Sequence, residues 1–86
     1  MFTLRYHYLV EAEDIPRINP GWRNKIKRAV EERLAIKPDV FGEPLRRSLK
    51  GYRKLRIGDY RVVVIVDTKN QRILVVAVGH RREIYR

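Results

Sequence analysis

Apolar and polar residues alternate from the second position: Phe2, Leu4, Tyr6 and Tyr8 against Thr3, Arg5 and His7. A period of two predicts a half-buried strand over residues 2–8. Residues 11–18 are acidic and carry Pro16, which predicts no more than a short helix or turn. Asn19-Pro20 is a strong helix start, because Asn can cap free N–H groups and Pro fits the first helical position. Trp22, Ile26, Ala29, Val30 and Leu34 then recur at helical spacing, with Arg23, Lys27, Arg28, Glu31 and Glu32 on the outward face. This helix is expected to end near Ile36, before Pro38. Residues 37–44, with Pro38, Gly42 and Pro44, read as a loop.

The rest of the chain reads as three strands, Tyr52–Ile57, Tyr60–Asp67 and Arg72–His80, joined by Gly58-Asp59 and a second turn around residues 69–71. A two-residue Gly-Asp link before a β-branched run is a hairpin signal. The order is β-α-α-β-β-β. It predicts an α+β fold, a small, mostly antiparallel sheet with two N-terminal helices packed on one face. At 86 residues, one domain spanning 1–86 is expected.

Composition narrows the chemistry. There is no cysteine, so neither a disulfide framework nor a thiolate metal site can form. Two histidines and scattered carboxylates suggest no metal. The longest apolar runs, residues 62–66 and 73–78, fall far below the ~18–20 residues of a membrane span. Arg5 and His7 interrupt the N-terminal apolar pattern, which therefore does not read as a signal peptide. A cytoplasmic protein is the expectation.

The formal charge is +10, and it is lopsided. Residues 1–43 carry eight Lys/Arg and seven Asp/Glu, whereas residues 44–86 carry twelve against three. Arginine outnumbers lysine 14 to 6, and guanidinium is the better fork for phosphate oxygens. A polyanion such as RNA or DNA is the indicated partner; a basic face meeting an acidic protein is the alternative.

No GxGxxG or Walker loop is present, and the lone serine, Ser48, lacks a nucleophile-elbow context. No cofactor is therefore expected, and any catalysis must draw on Arg, Lys, Tyr or His. Strand parity puts Tyr52, Lys54 and Arg56 on one face, with Arg53, Leu55 and Ile57 on the other. The hairpin brings Lys54, Arg56 and Arg61 together if they share the open face. An arginine among valines, like Arg61, is costly to bury without an anion. The tail adds His80, Arg81, Arg82 and Tyr85, phosphate donors beside an aromatic platform that suit single-stranded RNA.

The stretch Leu49-Lys-Gly-Tyr-Arg-Lys-Leu-Arg-Ile-Gly-Asp-Tyr-Arg-Val-Val-Val and the closing Ala77-Val-Gly-His-Arg-Arg-Glu-Ile-Tyr-Arg resemble the signature of the RelE/ParE toxin superfamily. So do Asp14-Ile-Pro-Arg-Ile and Phe41-Gly-Glu-Pro-Leu, and the resemblance covers nearly the whole chain. It implies the toxin of a type II toxin–antitoxin pair, neutralised by a small antitoxin wrapped around it. The RelE branch cleaves mRNA on the ribosome, and the ParE branch inhibits DNA gyrase.

For the RelE branch the resemblance implies Lys54 as general base and Arg56 and Arg61 as phosphate-holding residues. Arg81 would stabilise the leaving group, and Tyr85 would stack on the nucleotide. Arg53, Arg82 and His80 are further candidates for RNA or phosphate contact. Tyr52 stands where the family often has a second lysine. The implied reaction is a metal-free transesterification in which a ribose 2′-hydroxyl attacks the adjacent phosphorus. Gyrase inhibition and a non-catalytic basic interaction module are the competing functions. By parity His80 points away from Arg81, which ranks it below Lys54 as a base.

Overall fold

A computed structural model of the chain describes residues 2–38, 42–44 and 51–84. Strand β1 (Thr3–Tyr6) leads into α1, a π-helical turn over Val10–Asp14 continued by a tighter 3-10 turn, Ile15–Arg17. Helix α2 runs over Pro20–Ala29 and ends in a second π-helical turn, Val30–Leu34. Strands β2 (Glu43–Pro44), β3 (Tyr52–Ile57), β4 (Tyr60–Asp67) and β5 (Arg72–His80) follow, and a short helix α3 covers Arg81–Ile84. The five strands lie in the order β1-β5-β4-β3-β2. β1 is parallel to β5, and the other pairings are antiparallel. The fold is the expected α+β, with two N-terminal helices followed by a mostly antiparallel sheet.

The start of α2 is built as its sequence requires: the Asn19 side chain accepts the Gly21 N–H at 2.9 Å, with Pro20 at the first helical position. Ile26, Ala29, Val30 and Leu34 are buried against Leu55, Val62, Val64, Ile73 and Val75 of the sheet. One sheet face is thus the core side. Residues of β4 and β5 shift register between Val63 and Val64, leaving Val76 as an extra residue on β5. The bulge changes the strand's phase. Ile73 and Val75 face the core before it, Val78 and His80 after it.

Four expectations need correction. The first strand stops at Tyr6, because the His7 imidazole Nδ1 accepts the Leu9 N–H at 3.1 Å and turns the chain into α1. Tyr8 is therefore not a core-facing strand residue but 71% exposed. Arg23 does not simply face water: its guanidinium donates to the carbonyls of Ile18 (2.7 Å) and Pro16 (2.9 Å), tying α2 to the link before it. Residues 43–44, read as loop, pair with Lys54 and Arg53 as an edge strand. Pro44 is tolerated there because an edge leaves one side without a ladder partner. Finally, residues 81–84 close in a helical turn rather than continuing the strand, as the parity reading of His80 and Arg81 assumed.

Candidate nucleic-acid interface

The face away from the helices carries the basic cluster. In the β3–β4 register Lys54 sits opposite Val63, and Arg56 opposite Arg61. Directly opposed residues point to the same side of an antiparallel pair, so Lys54, Arg56 and Arg61 share the open face, which meets the condition the hairpin reading set. Val63, Ile65, Leu74, Val76 and Ala77, all half-buried, form an apolar strip beside them.

The hairpin turn is the local scaffold. Gly58 has φ +58°, the conformation a primed two-residue turn demands at its first central position. Arg61 is buried, 6% exposed, and its Nη1 donates to the carbonyls of Gly58 and Tyr60, each at 2.9 Å. No carboxylate pairs with it among the described residues. A buried guanidinium held only by carbonyls keeps its positive charge uncompensated.

Arg81 reaches the same turn from the end of β5, where His80 pairs with Tyr60. Its backbone N–H donates to the Asp59 carbonyl at 2.8 Å, and its Nε lies 3.8 Å from the Asp59 carboxylate. Both side chains are more than half exposed, so the pairing orients Arg81 without trapping it. Gly79 faces Arg61 across the β4–β5 ladder, and a β-carbon there would lie 3.8 Å from both Glu83 and Ile84. Helix α3 therefore packs on the open-face side next to Arg61.

Two candidates lie elsewhere. Arg53 projects to the core side, where Nε and Nη2 donate to the Gly42 carbonyl at 3.0 and 2.7 Å. His80 pairs with Tyr60 in the register, its ring edge-on to Tyr60 at 5.8 Å, and Trp22 lies 5.2 Å beyond. The His80 Nδ1 accepts the Arg82 N–H at 3.2 Å, which caps α3. Arg82 is exposed on that helix. Tyr85 lies outside the described residues.

Sequence reasoning passed over two acids beside this cluster. Glu43 is the register partner of Lys54, hidden because the loop reading gave it no strand neighbour. Asp59 read as a turn residue, and only the return of the chain at residue 81 makes it the partner of Arg81. A third acid acts structurally: Asp14 Oδ2 accepts the Val78 N–H at 2.9 Å, satisfying the stretch of β5 that extends beyond β1. Among the described residues no His/Asp/Glu cluster suited to a metal ion occurs. No helix there is long and apolar enough to cross a membrane.

A fold of this topology with a basic open face defines a class, and comparison with known proteins names it. The family model for the ParE toxin of the type II toxin–antitoxin system parDE matches residues 6–85. The chain belongs to the RelE/ParE family of type II toxins. Over 53 residues it is 39% identical to toxin RelE of Mycobacterium tuberculosis, covering 62% of this chain and 55% of that protein. Toxin RelG of the same organism is 38% identical over 53 residues, covering 62% and 61%. The chain thus spans little more than half the length of the curated relatives it matches. The RelBE2 toxin–antitoxin complex of M. tuberculosis superposes with a TM-score of 0.84 at 26% identity, over 93% of this chain and 98% of that one.

Proposed function

We propose that this toxin is an mRNA endoribonuclease of the RelE type, acting on the ribosome. The observation that carries the reading is Arg61: a buried cation with carbonyl partners and no acid among the described residues, opposed to Arg56 and next to Lys54, is completed by an anion such as an RNA phosphate. The similarity to toxins RelE and RelG points the same way.

In this mechanism Lys54 takes the proton of a ribose 2′-hydroxyl. The 2′-oxygen attacks the adjacent phosphorus, the bond from phosphorus to the 5′-oxygen breaks, and the proton is returned to that leaving oxygen. The products are a 2′,3′-cyclic phosphate and a 5′-hydroxyl. Arg56 and Arg61 hold the phosphoryl oxygens. Arg81 meets the charge developing on the leaving oxygen, a role suited to a group that does not readily give up its proton. Tyr85 stacks on a base, and Arg82 adds charge at the rim. Arg53 and His80 support the site from the core side, through Gly42 and the cap of α3.

A small antitoxin is the proposed protein partner, covering the apolar strip and the basic residues beside it. The related RelBE2 toxin was crystallised with its antitoxin. The ParE family match favours a second reading, inhibition of DNA gyrase without nuclease chemistry. Purified protein in a cell-free translation reaction, with mRNA 5′ ends mapped, separates the two. Cuts within ribosome-occupied codons support the nuclease; intact mRNA with blocked gyrase supercoiling supports the rival.

A further inference from the structure

Where β1 ends, the His7 and Tyr8 rings stack with centroids 4.6 Å apart and planes at 28°. Tyr8 is 71% exposed, the most exposed large apolar side chain among the described residues. The pair is held in place. The His7 N–H donates to the Val75 carbonyl at 2.8 Å, continuing the β1–β5 ladder. Its carbonyl accepts the Val10 N–H at 2.9 Å, and its Nδ1 accepts the Leu9 N–H. Because Thr3, Arg5 and His7 all donate toward β5 in the same alternation, His7 belongs with Thr3 and Arg5 on the open face.

The register connects this pair to the basic cluster. Tyr6 pairs with Val75, which places His7 beside the bulged Val76; Ala77 pairs with Val63, and Val63 with Lys54. A line across the sheet therefore runs from His7, past the bulge at Val76 and Ala77, to Val63 and Lys54. Three strand spacings separate its ends, about 14 Å, a distance covered by a few nucleotides of extended chain. Arg5 and Arg72 are exposed on the same side near β1. A fixed, solvent-facing ring pair at one end of a line that ends in phosphate-binding cations is the architecture of a base-stacking platform.

We propose that His7 and Tyr8 form a nucleobase-stacking subsite for single-stranded RNA, a few nucleotides away from the phosphate held by Arg56 and Arg61. This rests on the RNA-binding reading above. Charge complementarity selects the occupant: the face carries Arg5, Arg72, Lys54, Arg56 and Arg61, and a nucleic acid strand offers both the anion and the flat ring. Stacking tolerates any base, so the subsite adds affinity and register without choosing a sequence.

The test uses a short single-stranded RNA, methylated at every 2′-oxygen so that it cannot be cut, with 2-aminopurine placed at each position in turn. Stacking quenches its fluorescence. The parent protein should quench one position strongly. Tyr8→Ala should abolish that quench and weaken binding about tenfold, while Tyr8→Phe retains both. Arg56→Ala should weaken binding but keep the quench at saturating protein. No quenched position in the parent, or a Tyr8→Ala protein within twofold of the parent in quench and affinity, overturns the proposal. So does a Tyr8→Ala protein with unchanged RNA binding that no longer retains its antitoxin, since the rings would then belong to a protein interface. The mapped-mRNA assay stands apart: a parent that stacks RNA yet leaves mRNA uncut contradicts the nuclease reading and leaves the stacking subsite standing.

Discussion

Trp22 and Gly58 meet so closely that a β-carbon on the glycine would lie 2.6 Å from the indole Cη2. This contact joins helix α2 to the turn that supports Arg61 and Asp59. It makes the turn glycine necessary twice, once for its φ of +58° and once for its missing side chain. The Lys25 ammonium lies over the indole, 4.8 Å from its centroid.

Gly58→Ala is therefore expected to destabilise the fold by roughly 2–3 kcal/mol, combining left-handed strain with overpacking. Denaturant titration of the two proteins checks this. Pairing Gly58→Ala with Trp22→Leu should recover part of the loss, because the smaller side chain relieves the clash. An unchanged midpoint for Gly58→Ala would mean that the turn does not bear on Trp22 as described.

Tyr6 presents an unusual case for stability. Its hydroxyl is buried with no hydrogen-bond partner among the described residues. Burial, reinforced by the negative charges of Glu31 and Glu11, holds the phenol above its ordinary pKa of 10.0. The folded state therefore favours the neutral phenol. That contribution is complete below pH 10.0 and is lost as pH rises through the higher folded value. Tyr6→Phe should be neutral or stabilising by up to about 1 kcal/mol near pH 7. It should also lose less stability than the parent between pH 10 and the onset of alkaline unfolding. A large destabilisation at neutral pH would indicate that the hydroxyl has a partner.

The Asp59 carboxylate orients Arg81 through an exposed contact, of a kind typically worth no more than about 1 kcal/mol. Asp59→Asn keeps the backbone carbonyl that accepts the Arg81 N–H and removes only the charge. The melting temperature should hardly move, while RNA affinity at low salt should rise about two- to threefold as a competing anion is removed. Affinity falling instead would mean that the carboxylate is needed to aim the guanidinium.

Salt dependence reports the phosphate contacts. Each phosphate neutralised contributes a slope of roughly −0.7 in a double-logarithmic plot for single strands. RNA affinity should fall steeply from low to physiological salt, and Arg56→Ala should flatten the slope by about one contact. Identical slopes for parent and variant would exclude Arg56 from the phosphate site.

Much of this was legible from short-range pattern. The strand and helix periods located β3, β4, β5 and α2, because each repeats its apolar residues over enough turns or pleats to be unambiguous. Parity placed Lys54 and Arg56 on one face, and the Gly58-Asp59 link left Arg61 beside them only if it shared that face, which the β3–β4 register supplies. What escaped depended on contacts between distant segments. The parallel pairing of β1 with β5 needs a crossover that leaves no local trace. The bulge at Val76 hides in an unbroken apolar run, so the phase of His80 could be judged only from an ideal strand. Tyr8 continued the alternation perfectly, yet a side-chain bond from the preceding histidine ends the strand first. Arg53 looked like another surface cation until residues 42–44 returned along β3 and supplied the Gly42 carbonyl.

The central claim is that Lys54 does chemistry at a phosphate held by Arg56 and Arg61. Single-turnover cleavage on mRNA-programmed ribosomes, with ribosome binding measured separately, tests it most directly. Lys54→Ala should slow cleavage by about 10²–10⁴-fold, the range for lost proton transfer, with binding reduced far less because Arg56 and Arg61 remain. His80→Ala, on the opposite face and acting through the α3 cap and its contact with Tyr60, should be the milder change. Cleavage that survives Lys54→Ala but is abolished by His80→Ala, or a parent protein that leaves mRNA intact, would contradict the account.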